Sequence, residues 1–306
     1  ALDQLIIDAQ ATERSARGLP SDAPVKVDVV AHSMGGLVLR YYLRYGTQPL
    51  AEDGALPVLD WRGARNVSRA ILVGTPNAGS AQALLQLVDG WDLGFILPNY
   101  RPALLGTMPA IYQLLPRSRH ARVVDESGAV VDLLDLDTWV RYGWGLAHDE
   151  DSASATSSSV TRHDETLAWL LPDVPDPEQR RAIALDHLRK CLDRTRRFNE
   201  AIDRPASPPP GTELHLFAGD GEPTTALLVV DASGTLRIRD EAPGDGTVTR
   251  SSALMDERVG GTWRPGLLSP IDWRGVQFIF ADHLGLTRHP AFVDNLLYLL
   301  LEAPRP

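Results

Sequence analysis

VDVVAHSMGGLVLRYYLRYG, Val27 to Gly46, carries two periods back to back. Val27, Val29 and Val30 are β-prone and lead into His-Ser-Met-Gly-Gly, and an apolar run with helical spacing follows. A serine where a strand stops and a helix starts, with small residues on both sides, has the pattern of a nucleophile elbow. There a tight, strained turn lifts the hydroxyl off the sheet. The crowding requires tiny residues two before and two after the serine. Here they are Ala31 and Gly35, with Gly36 beyond, and Ala31 stands one carbon larger than the usual glycine. A helix that begins at the serine turns its dipole and the Met34 N–H toward an oxyanion formed on attack. Ser33 is thus the candidate nucleophile and Met34 the candidate oxyanion donor. An ordinary strand–turn–helix with a capping serine is the plain alternative. His32 points away from the serine on such a turn and reads as a packing or supporting group, not the base.

Outward from this stretch, Leu2, Leu5, Ile6 and Ala9 predict an amphipathic helix over 2–16. Val25–Ala31 reads as a buried parallel strand, Gly35–Tyr45 as a helix and Arg69–Gly74 as the next strand, which implies a parallel sheet with crossover helices. Residues 81–205 lose that alternation. They hold Trp91, Trp139, Trp144 and Trp169, a Ser-rich stretch at 152–159 expected to be a mobile loop, and a charged helix over 178–202. After the connector PASPPPG, a strand is expected at 213–218, a hairpin at 227–239 around Ala-Ser-Gly, a last strand at 276–281 and a last helix from Pro290 to Leu301. The expected organisation is a core over 1–80 and 206–306, interrupted by a cap or lid insertion over 81–205.

A serine hydroxyl needs a base and an orienting acid, and in this fold the chain order is serine, acid, histidine. His283 stands directly after the strand VQFIFAD, where a sheet delivers a side chain to its carboxyl edge. His289, before Pro290, reads as a helix-entry residue, and His215 lies inside a strand. Two aspartates compete for the acid. Asp220 ends the strand ELHLFAGD, and Asp245 lies in PGDGTVTRSS; both precede glycine, and local sequence leaves the choice open.

The chain of 306 residues has a formal charge of −10 and a pI near 5.3, which argues against nucleic acid or an anionic membrane as partner. Cys191 is the single cysteine, so no internal disulfide forms. No apolar run reaches the roughly 18–20 residues of a membrane span, and no signal peptide is visible. There is no Cys/His metal cluster, Walker loop or Rossmann glycine fingerprint, so neither metal nor cofactor is expected.

AHSMGG, LVGTPNAGS, AGDGEPT, GDGTVTRS and DHLGL, in this order, resemble the lecithin:cholesterol acyltransferase family of lipid acyl hydrolases and transferases. The resemblance covers roughly residues 1–116 and 206–306. It implies an α/β-hydrolase fold with a mostly parallel sheet, Ser33 as nucleophile, His283 as base and Asp245 as acid, with Asp220 in a non-catalytic turn. The disulfide cysteines of secreted animal members are absent, which leaves a bacterial-type, cytoplasmic enzyme as the expectation.

The resulting expectation is a serine hydrolase or O-acyltransferase acting on a lipid acyl ester through Ser33, His283 and Asp245. The alternatives are an esterase or peptidase on the same fold, or a non-catalytic relic that grips a lipid or partner. The apolar stretch ALLQLVDGWDLGFILPNY suits a lid, and Leu84, Trp91 and Phe95 are its substrate candidates; packing of the cap is the plain reading of each. Such a fold draws a second oxyanion N–H from a loop upstream of the elbow. Only one helix precedes Val25, so the N-terminal strands are expected to be missing from this chain, and an upstream segment or second chain to complete it.

Overall fold

The computed structural model describes residues 1–91, 100–117, 120, 122–149, 157–256 and 269–306, with only the backbone described at 157–161. They form two compact units: residues 1–77, 200–224 and 243–306, and residues 78–199 and 225–242.

The first unit is built on a four-stranded parallel sheet. Its strands are β1 (Val27–His32), β2 (Val67–Val73), β4 (Glu213–Gly219) and β7 (Trp273–Ile279), in the order β1-β2-β4-β7. β2 is buried at every residue, as befits a central strand covered on both faces. Its one charged residue, Arg69, donates to the carbonyls of Leu299 at 2.5 Å, Ala303 at 3.0 Å and Pro304. A central strand thereby ties down the C-terminal segment. Helix α1 (Leu2–Ala16) precedes β1, and α2 (Met34–Tyr45) connects it to β2. On one face Ile71, Val73, Phe217 and Ile279 pack with Leu286 and with Phe292 of α10 (Pro290–Leu297). The Phe217 and Phe292 rings meet edge to face at 5.1 Å. His289 enters α10 as expected, its Nδ1 accepting from the Ala291 N–H.

Because the strands are parallel, their carboxyl ends share one edge. His32 pairs with Val73, Val73 with Phe217, and Phe217 with Gln277. Ser33 follows β1, Gly74 follows β2, Asp220 follows β4 and His283 follows β7, so chain segments hundreds of residues apart converge there.

The second unit has an aromatic core. Trp139, in α6 (Leu136–Tyr142), and Trp144 are fully buried and meet edge to face at 5.8 Å. Each buried indole N–H finds a carbonyl, Leu133 at 2.8 Å and Gly234 at 2.7 Å. Around them pack residues of α3 (Ala81–Asp89), α4 (Pro102–Gly106) and α5 (Pro109–Tyr112), with Leu167 of α7 (Ser157–Leu170) and Leu188 of α8 (Pro177–Asp203). A second sheet has the order β3-β5-β6, from β3 (Arg122–Asp125), β5 (Glu222–Val230) and β6 (Leu236–Gly244). β5 and β6 form the expected hairpin, longer at both ends, and its turn is fixed by Asp231 accepting from the Ser233 and Thr235 N–H groups. β3 and α6 were not expected: four and seven residues give too little periodicity to register. Of the stretch 152–159, residues 152–156 lie outside the described residues, and Ser157–Ser159 form the first turn of α7.

Candidate active site

β1 delivers the chain to Ser33, which takes φ 54° and ψ −130°, a conformation costing a non-glycine residue about 1–3 kcal/mol. The Ser33 N–H donates to the Val73 carbonyl at 2.8 Å, carrying the ladder one residue beyond β1. Met34 is the first residue of α2, so its N–H has no intrahelical acceptor. The requirement for small neighbours falls one residue later than the sequence pattern suggests. A Cβ at Gly35 would lie 3.8 Å from Ala31 Cβ, an ordinary contact, whereas one at Gly36 would lie 2.0 Å from Thr75 Oγ1. The first turn of α2 sits on the segment after β2, and Gly36 is the residue that permits it.

His283 lies in the irregular segment after β7. Its Nε2 is 2.8 Å from Ser33 Oγ and its Nδ1 is 2.8 Å from Asp245 Oδ2. Since the carboxylate only accepts, Nδ1 carries the proton and Nε2 presents its lone pair to the hydroxyl.

Asp245 is 2% exposed and fully engaged. Its Oδ1 accepts from the Thr247 and Val248 N–H groups at 3.0 and 2.7 Å, and its carbonyl accepts the His283 N–H at 2.8 Å. The AGDGEPT turn is the frame of this loop. A Cβ on Gly219 would fall 2.4 Å from Asp245 Cβ, so glycine lets the loop approach β4. Thr224 Oγ1 accepts the Gly246 N–H at 2.8 Å. Asp220, the competing aspartate, instead pairs with Arg250 Nη1 at 2.9 Å, and that guanidinium lies 4.4 Å over the Phe278 ring.

LVGTPNAGS also takes on meaning. Gly74 has φ +55°, and a Cβ there would stand 3.3 Å from both Asp245 Oδ2 and His283 Cε1. Gly74 and Thr224 were not singled out from sequence; their signal was membership of a motif with no chemistry of its own.

Of the lid candidates, Leu84 is completely buried in the aromatic unit's core. Trp91 is 42% exposed and its backbone pairs with Tyr100. Phe95 lies outside the described residues. His32 stands beside Ser33, its ring 4.8 Å from that of His283, centroid to centroid. His215, in β4, is buried near Glu213, and burial lowers its pKa. In the second unit, burial first and then the neighbouring His148 hold His163 down at about 4. Among the described residues no cluster of His, Cys, Asp and Glu could hold a metal ion, and no helix is long and apolar enough to cross a membrane.

No curated protein matches the sequence. Among solved structures, a chain in "The crystal structure of Tle4-Tli4 complex" is similar over 83% of this chain and 56% of its own length, at 13% identity and a TM-score of 0.44. This chain therefore spans little more than half of that one. The family model for lecithin:cholesterol acyltransferase matches residues 21–232, more than two thirds of the sequence. With its mixed α/β architecture and mostly parallel sheet, the chain belongs to the lecithin:cholesterol acyltransferase family.

Proposed function

We propose that the protein is a serine-dependent lipid acyl-ester hydrolase or O-acyltransferase. The observation that carries the reading is the unbroken chain from Ser33 Oγ through the His283 imidazole to Asp245 Oδ2, both links 2.8 Å. Ser33 Oγ attacks the ester carbonyl carbon while His283 Nε2 takes its proton. The electron pair moves to the carbonyl oxygen, where the Met34 N–H and the start of α2 stabilise it. Collapse of the adduct breaks the bond to the leaving alcohol, which receives the proton from His283, and leaves Ser33 acylated. Water or a second alcohol repeats the sequence and releases the acyl group. Asp245 keeps the proton on Nδ1 and stabilises the imidazolium. A lipid ester as the substrate class accords with the family.

A fluorophosphonate probe should label the protein at Ser33. Ser33→Ala should abolish labelling and lower ester turnover by roughly a million-fold with the fold intact, as expected when the members of such a set act as a unit. A series of nitrophenyl esters of rising chain length distinguishes a lipase from a short-chain esterase. Turnover by Ser33→Ala at the wild-type rate refutes the assignment.

A further inference from the structure

His283 has four polar atoms, and each has a partner. Asp245 supplies two, its carbonyl to the backbone N–H and its carboxylate to Nδ1, both at 2.8 Å. Ser33 Oγ faces Nε2 at 2.8 Å. The fourth partner is His32, whose Nε2 lies 2.9 Å from the His283 carbonyl oxygen. We propose that His32 is a positioning residue: through this hydrogen bond it fixes the His283 segment against the strand that carries the nucleophile. The proposal rests on the reading of Ser33, His283 and Asp245 as the reacting set.

The surroundings of His283 show why it needs such an anchor. Phe280 is 81% exposed and Leu284 71%, so on the near side only the small Ala281 packs on the core. Asp282 closes the local turn by accepting from the Leu284 and Gly285 N–H groups, but this fixes only the segment's own shape. Leu286, fully buried, pins the far end. What remains is the placement of the His283 peptide relative to β1, and the described contact there is His32.

A carbonyl oxygen only accepts, so His32 Nε2 carries a proton. That commits the ring. The nitrogen that could have reached toward a hydroxyl is spent on a backbone group 251 positions away. The ring also stands 4.8 Å from the His283 ring, centroid to centroid, tilted by 42°, and so covers part of the base. His32 and Ser33 are consecutive, and the fixed backbone at Ser33 sets both side chains together. One strained turn therefore places the nucleophile directly and the base indirectly. Misplacement of a reacting group by about 1 Å can cost a hundred-fold in rate, which gives this contact its scale.

The test uses the full chain with two substitutions. His32→Phe keeps a ring and removes the N–H; His32→Gln keeps an N–H at comparable reach. We expect His32→Phe to lower kcat on a soluble nitrophenyl ester about 10- to 100-fold with KM unchanged. Fluorophosphonate labelling of Ser33 should slow by the same factor, and His32→Gln should recover most of both rates. Independently, imidazole ¹H–¹⁵N correlation in the Ser33→Ala protein should show His32 protonated at Nε2. Wild-type kcat in His32→Phe, equal losses in both variants, or a His32 proton on Nδ1 alone overturns the proposal. If the wild-type protein does not label at Ser33, the serine-hydrolase reading falls and the positioning role of His32 in turnover with it. The tautomer still decides whether the contact exists.

Discussion

The turn at Ser33 and the turn at Asp245 both reach His283, and they hold their side chains by different means. Ser33 sits at φ 54°, with glycine at Gly35 and Gly36 behind it and Thr75 pressed under the first turn of α2. The Asp245 loop turns at Gly246, whose φ of +83° costs glycine nothing, and its aspartate is held by hydrogen bonds. Its carboxylate takes two backbone N–H groups and the imidazole, its N–H reaches the Val248 carbonyl, and Thr224 ties down Gly246. The candidate nucleophile is placed by exclusion of volume, and the candidate acid, once Gly219 has made room for its loop, by satisfaction of polar atoms. Within each turn, the first should therefore be damaged by added atoms, the second by removed partners.

Of the substitutions that probe this contrast, the one with the largest effect tests the acid side. Asp245→Asn preserves the shape of the loop but presents an amide where His283 Nδ1–H needs an acceptor, favouring the wrong tautomer. Turnover should fall about ten-thousand-fold. Asp220→Asn, which touches only the pair with Arg250, should change it within a few-fold. A reversed ranking, measured as kcat/KM on one ester, would move the acid to the end of β4.

The volume side is tested by two adjacent glycines. Gly36→Ala puts a Cβ 2.0 Å from Thr75 Oγ1 and should cost about 1–3 kcal/mol, read by denaturant unfolding, with loss of activity as the turn shifts. Gly35→Ala meets Ala31 at 3.8 Å and should be neutral or stabilising by up to about 1 kcal/mol, since alanine favours the helix. Equal destabilisation of the two would mean that the crowding lies elsewhere.

Much of this was legible before the structure. The alternation of a β-prone run and a 3.6-residue period at 27–46 is local, so the strand, turn and helix around Ser33 could be read directly. His283 follows a strand and could be named on that ground, and the three residues of the hydrogen-bonded chain were each named from sequence. Local pattern alone left Asp220 and Asp245 undecided because both are Asp-Gly turns. What separates them is tertiary: Gly219 opening space for one, Arg250 capturing the other. Gly36 outranks Gly35 only because Thr75 arrives from the segment after β2. The His32 contact spans 251 positions, and no periodicity reports a pairing of that range.

The smallest effect sharpens the polar side. Thr224 is buried, and its Oγ1 accepts from the Gly246 N–H at 2.8 Å while donating to the Glu222 carbonyl at 3.0 Å. Thr224→Val keeps the shape and removes both contacts. Gly246 is itself exposed, so its freed N–H can turn to water, and the cost should stay near 0.5–1 kcal/mol, below the full penalty of a buried orphan. The loop remains folded on its own Asp245 contacts but loses one tether to β5. kcat should therefore fall a few-fold, with KM and the unfolding midpoint nearly unchanged. Thr224→Ser, which restores the hydroxyl and removes only a methyl group, should recover the rate. If Thr224→Val instead lowers stability as much as Gly36→Ala, the acid loop is held by packing as tightly as the elbow, and the contrast between the two turns fails.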